Sequence, residues 1–330
     1  MLFRSGRALK FGWVALLAAL MCLQTPAQSA SPGTSASEAR QMGFVAMLPV
    51  DAGWQVAHQE DSEVTYTKRG VQADHFYAAT ALLFGLPSQF DTAVQFVNYV
   101  KQARLKNADP ARFSLVESDD ALATDRAERC VKYHYRALEQ IPRDEEPDGP
   151  IRNIDVYGYT CIHPQDTYLA LDFSYSQRTA DTMLLQDIAQ PAENYLRQVK
   201  LINLPAAELS AVLYNAGINF RRQSEYGKAE LLLMRAVTIE ESVATQDDTA
   251  LGRRLAERAA TYLVQGKLDG GMSVMQRFLP IANQFSSDEK RFVIALLDAY
   301  AEQMALAKRT AESTEYAAKA HFLRNNAHDK

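Results

Sequence analysis

The chain has 330 residues, 47% of them hydrophobic, and a net charge of −5 with acidic and basic residues interspersed. That length supplies the cores of two ordinary domains. The lack of a basic patch argues against a dedicated nucleic-acid binder, which must neutralise phosphates. Arg4, Arg7 and Lys10 precede a charge-free apolar run, Phe11 to Leu23, too short to span a bilayer comfortably. Small residues follow, at Thr25 and Ala27 or at Ala27 and Ser29. This is the layout of a cleavable secretory signal over residues 1–30, the alternative being an uncleaved anchor. Its removal takes the net charge from −5 to about −8.

Residues 31–40, small and polar, read as a linker. Residues 41–204 read as an α+β domain, an antiparallel sheet with helices over one face. Trp54, Val56 and the Val64 to Thr67 run are short β-rich pieces, and Phe76 to Phe84 is a nearly continuous apolar strand. From Phe90 to Leu105 the apolar residues recur at helical spacing. Strands return at Phe113 to Val116, Cys130 to Tyr135, Ile154 to Ile162 and Tyr168 to Tyr175, with an acidic turn over Pro142 to Pro150. A second helix is expected from about Asp181 to Leu201, broken or kinked at Pro191. No family is recognised over this domain.

Cys22 leaves with the signal, so Cys130 and Cys161 remain, an even pair that reads as one disulfide in an oxidising compartment. His134 and His163 invite a zinc alternative, and free thiols are another. Positions four apart on a strand lie about 13 Å apart, whereas zinc bonds are about 2 Å long, so Cys130 and His134 do not share an ion without a bulge. Phosphate-cradling glycine loops and the two-histidine helical metal motif are missing from the sequence, and Gly271-Met272-Ser273-Val274-Met275 lacks the final glycine of a nucleophile elbow. The reading is a protein without enzymatic activity, cofactor or metal. Tyr157, Tyr159, Tyr168 and Tyr175 fit sheet-face packing or, alternatively, a ligand pocket.

After Pro205 the strand signals vanish, and residues 205–330 read as all-α. Leu213, Ala216, Gly217 and Phe220 share one helix, and Tyr226, Ala229, Leu233 and Ala236 lead into the next. A second unit carries Leu255, Ala259, Tyr262, Gly266, Leu268, Gly271 and Phe278, with Arg258 where an apolar residue is expected. A third puts Val293, Leu296, Leu297 and Tyr300 on a helix, paired with Thr314 to Leu323, and lacks the small-residue signature. Gly217 and Ala229 let two antiparallel helices approach closely.

These residues resemble the tetratricopeptide repeat, in a version whose Gly217 to Ala259 step of 42 exceeds the usual ~34; the loop Thr245 to Asp248 is the expected place of the extra length. The resemblance implies a concave groove lined by the first helix of each unit. Carried over by position, it falls on Tyr214, Ile218 and Arg221, then Arg253, Ala256 and Leu263, then Arg291, Ile294 and Asp298. Such a surface suits an extended peptide or partner helix with acidic groups, because guanidinium pairs bidentately with carboxylate. Members that clamp a C-terminal carboxylate use lysine and asparagine where this chain has Tyr214 and Ile218, so that mode is not expected. The leading expectation is an exported, periplasmic or secreted protein-interaction module for envelope assembly or secretion, with no nucleic-acid partner and no membrane span once the signal is cleaved. The alternative is a periplasmic small-ligand binder that uses the helical array as an oligomer interface.

Overall fold

The computed structural model describes residues 38–41, 43–60, 62–72, 74–140, 151–180, 185–243 and 248–325. They divide into two compact units, one ending at Leu204 and the other beginning at Pro205. The secretory signal, the acidic turn and residues 245–247 of the expected loop lie outside the described residues; Asp248 already opens a helix.

In the first unit the described strands are β1 (Glu38–Gln41), β2 (Phe44–Met47), β3 (Gln55–Glu60), β4 (Glu63–Arg69), β5 (Phe76–Gly85), β6 (Phe113–Leu122), β7 (Cys130–Glu139), β8 (Arg152–Ile162), β9 (Leu169–Ala180) and β10 (Lys200–Leu201). The helices are α1 (Ala93–Asn107) and α2 (Ala189–Gln198). A seven-stranded antiparallel sheet runs in the order β3-β4-β5-β9-β8-β7-β6, and β1-β2-β10 make a small second sheet. The last residues taken as linker, Glu38 to Arg40, are thus strand and pair with Val45 to Met47.

The large sheet is covered on both faces, which corrects the one-faced arrangement expected from the sequence. β9 is buried along nearly its whole length, as a strand must be when neither face meets water. On one face Phe96 and Val100 of α1 cluster with Phe84, Val131, Ile162 and Ala170. On the other, Tyr195 of α2 packs 6.3 Å from Tyr175 between ring centroids, and the Tyr66 hydroxyl donates to the Ala46 carbonyl of β2 at 3.0 Å. Thr92 caps α1 in a reciprocal capping box with Gln95. Two element boundaries also differ. β6 runs to Leu122 because a bulge between Leu115 and Glu117 shifts the alternation that a strand normally shows. α2 starts only at Ala189, so Pro191 sits in its first turn, where a missing N–H costs no hydrogen bond.

Cys130 and Cys161 are direct cross-strand partners and form a disulfide, both side chains fully buried. On the α1 face, the Tyr133 ring lies over Gly158, where an added Cβ would come within 2.4 Å of it. From there its hydroxyl donates to Asp172 Oδ1 at 3.0 Å, while Thr160 donates to Oδ2 at 2.6 Å.

The second unit is a run of helical hairpins: α3 (Ala206–Arg222) with α4 (Tyr226–Glu241), α5 (Asp248–Val264) with α6 (Leu268–Phe278), and α7 (Ser287–Leu306) with α8 (Thr310–Asn325); a 3₁₀ turn, Leu279–Gln284, follows α6. The three first helices end at Arg222, Val264 and Leu306, each 42 residues after the last. The turns repeat atom for atom. Ser224, Gly266 and Lys308 all have positive φ, at 62°, 70° and 61°, and the amide two residues before each second helix's second residue closes the same loop: Glu225 to Phe220, Lys267 to Tyr262 and Arg309 to Met304, at 2.8–2.9 Å. These are the helix-terminating bonds that satisfy otherwise orphaned carbonyls.

The same period governs the core. Leu213, Leu255 and Leu297 are buried in succession, and Gly217, Ala259 and Ala301 face the small positions Ala229, Gly271 and Ser313. A Cβ on Gly217 would meet Leu233 at 2.8 Å and the Ala229 carbonyl at 3.4 Å. The third hairpin therefore has the small-residue series after all, in Ala301 and Ser313, whose hydroxyl donates to the Ala301 carbonyl at 2.8 Å. Arg258 is accommodated in the second by donating to the Tyr262 hydroxyl at 2.9 Å.

Candidate functional site

The first helices of the hairpins enclose a cleft of about 240 Å³. Its apolar wall is Tyr214 of α3, Ala256 of α5, Phe285 just before α7, and Phe292 and Val293 of α7. Its charged lining is Arg253 and Glu257 of α5 with Asp288 and Glu289 of α7. Local sequence builds the α7 side. Ser286 caps the helix in a capping box with Glu289, whose Oε2 accepts the Ser286 amide at 2.7 Å. That leaves Oε1 for Arg253, whose Nε lies 2.8 Å away.

The expected groove residues separate on inspection of their partners. Tyr214, Arg253 and Ala256 line the cleft. Ile218, Leu263 and Ile294 are half-buried on the same first helices but outside it. Arg221 pairs with Glu257 at 2.7 Å, both largely covered. Arg291 pairs with Asp288 one turn away, both exposed, and Asp298 pairs with Arg324 at 2.7 Å, also exposed. Each of the three groove arginines thus has a carboxylate of this same chain against it, so the surface is charge-balanced rather than a bare arginine ladder. Burial pushes the Glu257 carboxyl up, with Arg221 opposing. Burial also raises the Tyr214 phenol to about 12, helped by Glu257. Beneath the cleft, Arg254 packs on the Tyr214 ring and bridges to Glu240 at 3.0 Å and Ser210 Oγ at 2.7 Å.

Phe285, Phe292 and Val293 were not read from the sequence as lining residues. Counting the first helices strictly by the 42-residue step puts Tyr214, Ala256 and Asp298 in one row, but it sets Phe285, Phe292 and Val293 against Val243, Ala250 and Leu251, so no recurrence in the sequence marks them as lining.

In the first unit, the aromatic side chains pack on one another. Tyr175 meets Trp54 at 5.5 Å and Tyr77 at 6.4 Å, Tyr159 stacks on Phe173 at 5.6 Å, and Tyr157 stacks on His134 at 4.0 Å. Tyr168 is half-buried in the turn before β9, its carbonyl accepting the Leu86 amide at 2.7 Å. His134 Nε2 is 2.8 Å from Asp155, and buried His163 reaches the Ile202 carbonyl at 3.3 Å. Among the described residues no three metal-ligating side chains gather, and no helix is long and apolar enough to cross a membrane.

No family model and no curated protein matches the chain. Among solved structures it is similar to a human lipid transfer and protein localization domain, that of StarD13 (DLC2), with 10% identity and a TM-score of 0.20, over 40% of this chain and 77% of that one. A likeness at that score carries neither fold nor function.

Proposed function

We propose that the chain is an exported, periplasmic or secreted interaction protein, whose second unit, an array of tetratricopeptide-repeat character, binds a segment of another protein in the cleft of its first helices. The observation that carries this reading is the cleft itself, an aromatic wall from Tyr214, Phe285 and Phe292 built across successive hairpins. Concave apolar sites with a few placed polar groups are where ligands bind, and helical-hairpin solenoids present such surfaces along their first helices. Export is supported by the basic and apolar N-terminal segment and by the Cys130–Cys161 bond, which persists only in oxidising compartments.

The test is site-specific photocrosslinking in intact cells. A photoreactive residue at Phe292 should trap a discrete partner, and the same group at Ser273, exposed on α6, should not. The trapped species should carry a mature N-terminus between about Gln28 and Gly33. Adducts from Ser273 but not Phe292, or a full-length reduced protein, would overturn the proposal.

A further inference from the structure

We infer that the cleft takes an uncharged peptide segment of its partner, one bulky apolar side chain seated on Phe292 and Tyr214 and the adjoining backbone carbonyl held by Arg253. The inference rests on the peptide-binding reading above and goes further by assigning the chemistry of the occupant.

Charge comes first. The guanidiniums of Arg221, Arg253 and Arg291 stand one to one against the carboxylates of Glu257, Glu289 and Asp288. A strongly acidic or basic segment would gain from one set only what it lost to the other. A neutral segment meets no such opposition. The hydrogen-bonding capacity left over is specific. Glu289 spends Oε2 on the helix cap and Oε1 on Arg253. Arg253 spends only its Nε, toward Glu289 and, at 3.4 Å, the Thr249 carbonyl. Its two terminal nitrogens donate no hydrogen bond among the described residues, and the side chain is 47% exposed at the cleft. Guanidinium N–H groups are donors only, so the complementary group is an acceptor, and in a neutral segment that acceptor is a backbone or amide carbonyl. The Tyr214 hydroxyl, which makes no hydrogen bond among the described residues, offers a second point of attachment. Below these donors the wall is aromatic and aliphatic, a seat for a branched or aromatic side chain.

A random-peptide display library selected on the full mature chain tests this. Enriched sequences should share one bulky apolar residue in an uncharged context. Their synthetic versions should bind Arg253→Gln about tenfold more weakly, the loss of a hydrogen bond from a charged donor, and bind Phe292→Ala no better. Far-ultraviolet circular dichroism spectra of both variants should match the parent, and only the Phe292→Ala melt should fall, by the packing lost on α7. Enrichment of acidic or basic sequences that still lose affinity on Phe292→Ala would overturn the inference and leave the cleft as a peptide site. Peptides indifferent to both substitutions, or no enrichment at all, would overturn the inference and the proposed function together.

Discussion

Asp172 lies in the protein interior with its carboxyl pushed up to about 6 by burial, against the opposing hydrogen bonds from Thr160 and Tyr133 and the more distant Arg104. The unfolded chain loses this proton near pH 3.8, whereas the folded chain holds it to about 6, so stability falls as pH rises through that window and the cost is complete above it, about 3 kcal/mol. Asp172→Asn keeps an acceptor and removes the charge. Urea unfolding should show the variant gaining about 2–3 kcal/mol on the parent between pH 4 and pH 8; an equal difference at both pH values would contradict the assignment. Burial depresses His75 and His163, which destabilises in the acid direction instead, but both are common to the two proteins and cancel. Gly271 is a second residue with a defined cost. Its absent Cβ would stand 1.5 Å from the Tyr300 hydroxyl, which donates to the Ala259 carbonyl at 2.7 Å. Gly271→Ala should therefore cost about 2–4 kcal/mol. Combined with Tyr300→Phe it should cost less than the two singles summed, since the added methyl displaces the same hydroxyl that Tyr300→Phe removes; strict additivity would rule out the contact.

Helices and strands differ in how much of them can be read before folding. Alternation made β7, β8 and β9 legible, including Val131 and Tyr133 on one face and the paired cysteines on the other. A bulge hid the second half of β6, and β1 is too short and polar to stand out from linker sequence: its strand character comes from the partner β2, not from its own residues. The α3, α5 and α7 surfaces were legible as rows of positions but not as pairs. Sequence places Arg221, Arg253 and Arg291 on first helices, yet only packing of one hairpin on the next reveals Glu257 opposite Arg221 and Glu289 opposite Arg253. The consequence is that the arginines are unequal. Arg221→Glu sets two carboxylates against each other in a largely covered site and should lower stability by about 2 kcal/mol or more. Arg291→Glu breaks an exposed pair on a single helix and should leave the thermal midpoint nearly unchanged. Equal midpoints for the two variants would show the Arg221–Glu257 contact to be energetically idle.

Across the whole molecule, two kinds of order were visible at different ranges. The break at Pro205 follows from a change of period, two-residue alternation giving way to helical spacing, and the structure divides between Leu204 and Pro205. The 42-residue recurrence extends further than side-chain similarity suggested, because Ser224, Gly266 and Lys308 share a backbone conformation that their chemistry does not advertise. The recurrence also shows how the described stack finishes. The row that carries Tyr214 and buried Ala256 ends at Asp298, and the row of buried Glu240 and Ala282 ends at Arg324. On the outward side of the last hairpin these two join as a solvent-exposed salt bridge. A stack of like units with an apolar end is a template for filament growth, each copy offering its successor the face it received. Asp298 and Arg324 put an ion pair on the face of the last described hairpin where a packed successor would need a dry seam, so the two charges would have to be desolvated together before another unit could stack there.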